Sequence, residues 1–342
     1  MTSVLRDPEC VNLEPATDAE LGRGHLSTSG IGTMLACEQL WDWKYERRLE
    51  PAIRPVSLSA GGAFAQALEA NDPDLAWSIV IGERDEADAE HAGNPWVTVP
   101  TVEAAEVTAQ IAREAARAYL ARYGHAETRE LSMRVRIRNP RTGYPSTTFD
   151  LVGRVDGLSV NGRELIEDKL VGQIPRKEGE MDRRLRLDRQ VSIGCYLAWR
   201  ASGVLVERGR YRMTLKPAIK RKQGEEHDGY LARIAYEYAT RPEHYLAEFE
   251  FSRTLDDFLR LEHELWRWAE QLRSARADGV WPRNTGACAD FGGCRFLPLC
   301  SGEPGAEHQF VERDRRAPMI GVTEEQAAAA VAAASERIRA GV

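Results

Sequence analysis

Apolar residues recur every three or four positions in several long stretches of the chain, and this spacing predicts amphipathic helices. The first stretch covers residues 26–51, begins with hydroxyl residues suited to an N-cap and closes at a proline. Further helices are predicted at residues 58–70, 101–123, 182–203, 228–240 and 255–277. Apart from a short apolar segment at 74–81, residues 72–100 are acidic and rich in turn formers, so we interpret them as an irregular insertion.

Between these helices the period changes to strict alternation, which predicts β-strands. The alternating segments are residues 130–139, 147–160, 163–171, 207–217 and 244–253. The dipeptide Asn161-Gly162 is a strong hairpin signal, so we expect the first three strands to be antiparallel. This order of elements predicts an α/β (α+β) fold with a mixed central sheet flanked by helices.

The composition is typical of a soluble globular protein. The chain has 342 residues, of which 43% are hydrophobic and 29% charged, and its mean hydropathy is −0.45. No stretch approaches the about 18 consecutive apolar residues that a membrane helix needs, and the amino terminus lacks the basic flank and apolar run of a signal peptide. We therefore expect a cytoplasmic, intracellular protein with no membrane partner.

The charge is distributed unevenly. Overall the chain carries 46 Lys and Arg against 53 Asp and Glu, a net charge of −7. Residues 169–222, however, contain fifteen Lys and Arg against five Asp and Glu, a local net charge of +10. A basic block in an acidic protein indicates either a localised surface for a polyanion or a solvated arginine-rich face.

The chain has six cysteines, at positions 10, 37, 195, 288, 294 and 300. Cys288, Cys294 and Cys300 form a compact loop with five-residue spacers, and clustered thiols in a chain without a secretion signal indicate a metal centre. Such a centre needs a fourth ligand, for which Cys37 is our choice because aromatic residues follow it. We expect an iron–sulfur cluster, with structural zinc or unliganded thiols as alternatives. Cys195 lies in an apolar helix and is interpreted as a small buried hydrophobe.

Two acids and a lysine fall on the arms of the predicted hairpin. Asp156 ends the second strand, and Glu167-Asp168-Lys169 lies on the returning strand, where alternation places Glu167 and Lys169 on one face. A turn at residues 161 and 162 sets Asp156 opposite Glu167. Paired carboxylates repel unless a divalent cation joins them, so the pattern indicates either a Mg²⁺ or Mn²⁺ site for phosphodiester hydrolysis or an exposed charge network.

The segment GRVDGLSVNGRELIEDKLVG at residues 153–172 resembles the catalytic core of the PD-(D/E)XK nuclease superfamily. The combination of this segment with residues 26–51 upstream and the cysteine loop at 286–302 downstream is similar to the RecB-like iron–sulfur branch of that superfamily. This branch includes CRISPR-associated RecB-like exonucleases, AddB-like nuclease domains and many phage exonucleases. The resemblance implies a restriction-endonuclease-like fold over residues 26–302. From the sequence itself we interpret residues 1–25 as a leader and 303–342 as a tail that carries an Ala-rich helix.

The resemblance also implies residue roles. Asp156 and Glu167 would bind Mg²⁺ or Mn²⁺, together with the backbone carbonyl of Asp168, and Lys169 would be the catalytic lysine. The same resemblance makes Cys37, Cys288, Cys294 and Cys300 the ligands of a 4Fe-4S cluster that ties the amino-terminal helix to the carboxy-terminal loop.

Two family elements are altered. Many members have a Gly-x-x-x-His ligand on the second helix, but here Gln66 or Ala65 stands at that position, and Glu69 is the candidate replacement acting through water. Members also carry a Gln-x-x-x-Tyr element after the lysine, whereas Gln190 is followed by Tyr196 six residues later.

The basic block and the altered tyrosine element supply the predicted DNA contacts. These residues are Arg176, Lys177, Arg183, Arg184, Arg186, Arg189, Gln190, Tyr196, Lys216 and Lys220. We therefore predict a metal-dependent deoxyribonuclease, an exonuclease on single-stranded DNA ends. Its predicted partners are DNA, with single-stranded or duplex ends, and recombination, repair or replication proteins. The alternative is a catalytically weak or silent nucleic-acid-binding module of the same fold.

Overall fold

The computed structural model describes residues 24–52, 58–92, 94, 97–125, 128–159, 162–177 and 179–313; Asn161, Cys10 and the predicted tail helix lie outside them. The strands are β1 (Gly24–Leu26), β2 (Leu49–Pro51), β3 (Thr128–Arg138), β4 (Pro145–Leu158), β5 (Glu164–Val171), β6 (Arg208–Leu215), β7 (Leu246–Ser252) and β8 (Phe310–Glu312).

The helices are α1 (Thr28–Ala36), α2 (Glu38–Trp41), α3 (Ala60–Ala70), α4 (Leu75–Glu90), α5 (Val102–Tyr123), α6 (Glu180–Leu187), α7 (Arg189–Ser202), α8 (His227–Thr240), α9 (Pro242–Tyr245), α10 (Leu255–Asp278) and α11 (Leu297–Ser301). A π-helical turn covers Asp42–Glu46, and 3-10 turns cover Thr285–Gly292 and Ala306–Gln309. None of the helices in the described ranges is long and apolar enough to cross a bilayer.

Strand β4 organises a six-stranded mixed sheet, which confirms the predicted mixed architecture. Along one edge it pairs with β3, antiparallel. The other edge is shared, because β1 pairs in parallel with residues 149–151 and β5 pairs antiparallel with residues 157 and 158. Strand β6 then runs parallel to β5, and β7 antiparallel to β6. The sheet therefore forks along β4, over residues 152–156, between the pairing with β1 and the pairing with β5.

Helices cover both faces of this sheet. One apolar cluster packs α1, α7 and α10 against the sheet, with Leu151, Tyr196 and Leu265 in its interior. The other cluster joins α3, α4, α5 and α8, with Phe64 and Tyr119 in its interior. The alanines that made residues 101–123 a predicted helix are buried in this second cluster, where short side chains permit close helix packing.

The irregular insertion predicted at residues 72–100 is wrong over residues 75–90, which form α4. Ala76 and Val80 are fully buried and pack with α3 and α5. The acids that suggested a loop, such as Asp85 and Asp88, lie on the exposed side of this helix. Burial of one narrow apolar face therefore outweighs the acidic composition of the segment.

Two predicted helices are interrupted. The one at residues 26–51 breaks at Cys37, whose backbone is extended (φ −167°) between α1 and α2, and it ends before β2. The one at residues 182–203 breaks at Asp188, whose side chain accepts the Val191 N–H and so caps α7. Capping side chains favour a new helix start even where the apolar period continues.

The folded domain extends beyond both predicted boundaries. Strand β1 begins at Gly24, inside the predicted leader of residues 1–25. Strand β8 lies in the predicted tail and pairs antiparallel with β2. This pairing brings Arg313 next to Arg48, whose backbone carbonyl accepts the Arg313 N–H.

Gly209 on β6 lies where two neighbouring groups approach its backbone. A Cβ at this position would clash with the Leu165 carbonyl oxygen and the Phe251 ring. We expect Gly209→Ala to lower the free energy of unfolding by about 3 kcal/mol, because strands and ring must shift together. Chemical denaturation measures this, with Gly229→Ala on α8 as the control, since its Cβ meets Glu225 Cγ at 3.8 Å. Equal stability of the two variants would contradict the prediction.

Candidate active site

The hairpin between β4 and β5 has the register that the sequence predicts. Gly157 lies opposite Ile166 and Leu158 opposite Leu165, so the next pair along the ribbon is Asp156 and Glu167. The Asp156 side chain also bonds β5, since its Oδ2 accepts the N–H of Asp168 at 2.8 Å. The side chain thus bridges the strands at the point where they separate.

Lys169 joins the two carboxylates. Its Nζ contacts Glu167 Oε1 directly and lies 3.6 Å from Asp156 Oδ2. Gln190, from the first turn of α7, donates to the same Glu167 oxygen. The structure therefore brings together the three residues that the sequence predicts to be catalytic, and it adds Gln190 to them.

The group of Asp156, Glu167 and Lys169 contains two carboxylates and one ammonium group, so negative charge exceeds positive charge when all three are ionised. Glu167 is 2% exposed, and burial, followed by the neighbouring Asp156 charge, raises its pKa. Burial disfavours the charged form of Lys169, but Glu167 and Asp156 outweigh it and raise the lysine pKa. Two carboxylates close to one ammonium group would be better balanced by an additional cation.

The donor set fits a hard divalent cation of the Mg²⁺ type. Mg²⁺ in proteins is commonly held by one or two carboxylates, with water and substrate phosphate completing its shell. Asp156 and Glu167 supply two such carboxylates, and the backbone carbonyl of Asp168 as a further ligand stays a prediction. In the part of the chain that the structure describes, no group of three or more His, Cys, Asp or Glu residues is arranged to hold a metal ion. A third protein side chain is therefore not among the ligands we assign.

A notch in the sheet opens beside this group. No strand of the described chain pairs with residues 152–156 on the forked edge of β4, and a cavity of about 490 Å³ lies there. Glu167 and Gln190 line it, as do hydroxyl residues at the start of α1, Ser27 and Ser29.

The walls of the notch are basic. Lys44, Arg154 and Arg313 line it, and among its lining residues, all of which the structure describes, Glu167 is the one acid. Sequence reasoning missed these three cations, because they come from the π-helical turn, β4 and the segment after β8. Arg154 alone carried a signal, since it lies two residues before Asp156 and thus on the same face of β4.

Tyr211 is a further neighbour of the site that the sequence analysis missed. It lies opposite Glu167 in the parallel pairing of β5 and β6. Burial raises its pKa, with Lys169 and Arg184 acting in the opposite direction. Tyr211 thus lies on the strand next to Glu167, and the charge of Arg184 on α6 slightly lowers its pKa.

The predicted DNA-contacting residues fall into separate places. Arg183, Arg184 and Arg186 are exposed on α6, which precedes the helix of Gln190. The guanidinium of Arg189 lies 5.3 Å from the ring of Trp268. Exposed or half-buried positions are also occupied by Arg176, Lys177, Lys216 and Lys220.

Tyr196 requires a correction. It is 1% exposed, lies inside the cluster of α7 and α10, and donates its hydroxyl to Glu262 at 2.7 Å. It therefore cannot contact DNA directly in this structure. The six-residue spacing from Gln190 places it on the inner face of α7 rather than beside the site.

The positions that replace the family histidine lie on α3. Ala65 is half-buried, whereas Gln66 and Glu69 are exposed. The Glu69 backbone carbonyl oxygen lies 3.3 Å from His125 Nε2. Glu69 is not among the residues that line the notch. Glu69 as a ligand acting through water stays a prediction.

The cysteines predicted to form a centre line one cavity of about 630 Å³, together with Trp43. They are Cys37, Cys288, Cys294 and Cys300. Within the described residues, these four cysteines do not form a group that is already arranged to hold a metal ion. Cys195 is buried elsewhere, as predicted, and burial raises its pKa to about 12.

Two of the sulfur atoms in this cavity accept hydrogen bonds. The Trp43 indole N–H donates to Cys300 Sγ at 3.2 Å, and the Asn284 backbone N–H donates to Cys37 Sγ at 3.4 Å. Burial raises the pKa of Cys294, and the neighbouring cysteines add to this. Soft sulfur donors with N–H partners are suited to iron–sulfur clusters and zinc.

The fold and the site define a class of protein, an α/β domain that carries an Asp, Glu and Lys group where two strands of a mixed sheet diverge. The sequence profile of the PD-(D/E)XK nuclease superfamily matches residues 25–301, and the chain belongs to this superfamily. No curated protein matches the chain. Among solved structures, a phage-related exonuclease from Haemophilus somnus is similar, with 13% identity, a TM-score of 0.29, and coverage of 59% of this chain and 84% of that one.

The raised pKa of Glu167 predicts that binding of a divalent cation depends on pH. A cation binds the carboxylate form, so it must displace the proton that the raised pKa retains, and affinity falls as pH falls. We expect weaker Mn²⁺ binding at about pH 6 than at about pH 8, with net proton release. Calorimetry in two buffers of different ionisation enthalpy measures this. Identical apparent enthalpies in both buffers would contradict it.

Proposed function

We propose that this protein is a metal-dependent deoxyribonuclease that hydrolyses phosphodiester bonds at the group formed by Asp156, Glu167 and Lys169. The observation that carries the proposal is the convergence of both carboxylates on Lys169 at the fork of the sheet. Membership of the PD-(D/E)XK nuclease superfamily supports it.

Each residue of the group has a role in this proposal. Asp156 and Glu167 would hold the cation, which when bound supplies the Lewis acid that activates water and draws charge from the scissile phosphate. Lys169 holds a proton and a positive charge at Nζ, where it orients the nucleophile and stabilises charge that develops on a phosphoryl oxygen. The Gln190 amide donates to the Glu167 carboxylate at the wall of the notch and so restricts its orientation.

We infer that the nucleic-acid strand follows the basic walls of the notch. Lys44, Arg154 and Arg313 would bind phosphates on one side of the scissile bond. Arg183, Arg184 and Arg186 would do so on the other, because they are exposed on α6, which directly precedes the helix of Gln190. Such contacts position a strand without reading its sequence, which suits a degradative nuclease.

Replacement of Lys44 by alanine is expected to weaken DNA binding alike for all sequences, since it removes one phosphate contact. The slope of log affinity against log salt should become shallower by about 0.7, the value for one phosphate contact on a single strand. Fluorescence anisotropy of labelled single strands without divalent metal measures both quantities. Arg141→Gln, in the turn between β3 and β4 at the opposite end of β4, is the control and should change neither. An unchanged salt slope in the Lys44 variant would remove Lys44 from the strand path.

The finer proposal is an exonuclease on single-stranded ends, acting in recombination, repair or replication. The test uses the full chain, purified anaerobically, with Mn²⁺ or Mg²⁺ and four labelled substrates: linear single strands, linear duplex, circular single strands and RNA. We expect the linear single strand to be digested and the circle to resist. Rapid cutting of the circle would indicate an endonuclease, and binding without cleavage of any substrate would favour the silent-module alternative.

We further propose that the four cysteines of the second cavity hold an iron–sulfur cluster, with zinc as the alternative. The support is the shared lining of one cavity and the N–H donors to two sulfur atoms. Anaerobic protein should be brown with broad visible absorbance, and Cys294→Ser should lose this absorbance while Cys195→Ser keeps it. A colourless preparation that contains zinc would replace the cluster by the zinc alternative.

A further inference from the structure

The middle residue of the Glu-x-Lys motif is anchored from the face of the sheet opposite the catalytic group. Asp168 points away from Glu167 and Lys169, and its Oδ1 accepts the Tyr119 hydroxyl at 2.7 Å. The same hydroxyl accepts a hydrogen bond from Arg212 Nη1 at 2.8 Å. Arg212 Nε in turn donates to Glu248 Oε2 at 2.7 Å. A chain of four side chains thus runs across β5, β6, β7 and α5.

The strand register produces this chain. Asp168 lies opposite Arg212 in the parallel pairing of β5 and β6, and Arg212 lies opposite Glu248 in the pairing of β6 and β7. Opposite charges therefore alternate across three neighbouring strands. Tyr119, which is fully buried on α5, covers the row with its hydroxyl between the first two members.

The nearest neighbours of Asp168 on this face of β5 are apolar. Ile166 and Leu170 flank Asp168 on the same face, and Leu170 packs with the cluster of α3, α4, α5 and α8. An apolar residue at position 168 would pack there without the cost of desolvating a carboxylate and a guanidinium, of which Arg212 is 8% exposed. The buried members of the chain, Tyr119 and Arg212, therefore depend on their hydrogen bonds to Asp168, to each other and to Glu248 to offset the free energy of desolvation.

What the chain controls is the peptide between Glu167 and Asp168. The N–H of that peptide donates to Asp156 Oδ2 at 2.8 Å, so it orients one of the two carboxylates. We propose that Tyr119 and Arg212 are positioning residues, which hold Asp168 so that its N–H aims the Asp156 carboxylate at the cation site. This inference rests on the proposed metal site and concerns residues that do not touch substrate or cation.

The test compares Tyr119→Phe with the full-length parent by direct Mn²⁺ binding, measured by calorimetry or by electron paramagnetic resonance of the free ion. We expect about a threefold weaker Mn²⁺ affinity, below the ten- to hundredfold loss that follows removal of a direct hydrogen-bond partner of a ligand, because Tyr119 acts on Asp156 through Asp168. Affinity for single-stranded DNA without metal should be unchanged. Tyr238→Phe is the matched control. Tyr238 is a buried tyrosine of the same apolar cluster, but its hydroxyl donates to the Leu215 carbonyl and not to Asp168. The control should alter neither affinity.

Equal Mn²⁺ affinity of Tyr119→Phe and the parent would overturn the inference and leave the proposed function standing. A parent that binds no Mn²⁺ would instead overturn the metal site and the inference with it. Should Tyr119→Phe fail to fold, the pair Asp168→Asn and Asp168→Leu decides. Asparagine retains an oxygen for the Tyr119 hydroxyl, so it should keep a larger share of the Mn²⁺ affinity than leucine, and equal affinities of the pair would contradict the proposal.

Discussion

Lys169→Ala is expected to slow hydrolysis of labelled single-stranded DNA by about 10²- to 10⁴-fold at saturating Mn²⁺ and DNA. The reason is the position of Nζ, which contacts Glu167 and lies 3.6 Å from Asp156 Oδ2, at the point where the scissile phosphate must approach. Single-turnover digestion isolates the hydrolytic step from product release.

The matched control for this variant is Lys220→Ala, an exposed lysine after β6. Its loss should weaken DNA binding while leaving the rate at saturating DNA unchanged, because the residue is remote from the carboxylates. DNA affinity of Lys169→Ala should stay within a few fold of the parent. Equal single-turnover rates for Lys169→Ala and the parent would remove the lysine from the reaction.

Asp156→Asn is expected to abolish tight Mn²⁺ binding and to slow hydrolysis by about 10³-fold. A bound cation stabilises the transition state by several kcal/mol, and each 1.4 kcal/mol corresponds to about tenfold in rate. Asparagine keeps an oxygen that can accept the Asp168 N–H, so the hairpin should remain folded and the change isolates the lost charge. Calorimetric Mn²⁺ titration and single-turnover rates measure the two effects.

Glu164→Gln supplies the control for Asp156→Asn. Glu164 is a carboxylate at the start of β5, 3.7 Å from Arg210 Nε, and it lies outside the catalytic group. Its replacement should leave Mn²⁺ affinity and the rate unchanged. Mn²⁺ binding by Asp156→Asn as tight as that of the parent would show that the ion binds elsewhere.

The convergence of Asp156, Glu167 and Lys169 could be predicted because it depends on local geometry. The position of its turn sets the register of a hairpin, so the alternation on both arms places Asp156 opposite Glu167 and directs Lys169 to the same face. No information from distant parts of the chain is needed for that step. The mixed sheet followed in the same way from the order of helical and alternating segments.

The surroundings of the group could not be predicted, because they depend on long-range packing. Arg212 and Tyr119 are separated by 93 positions in the chain and meet because α5 packs across β5 and β6. Lys44 and Arg313 reach the notch because β1 and β5 share one edge of β4, which leaves a gap between them. The tyrosine at position 196 misled the prediction, since a motif match says nothing about which face of α7 is buried.

The central claim is that Asp156 and Glu167 hold one divalent cation beside Lys169, and anomalous diffraction from crystals grown with Mn²⁺ tests it most directly. The account predicts one strong anomalous peak between the two carboxylates in the parent and its loss in Asp156→Asn. A peak that avoids both carboxylates, or an identical peak in the variant, would contradict the account.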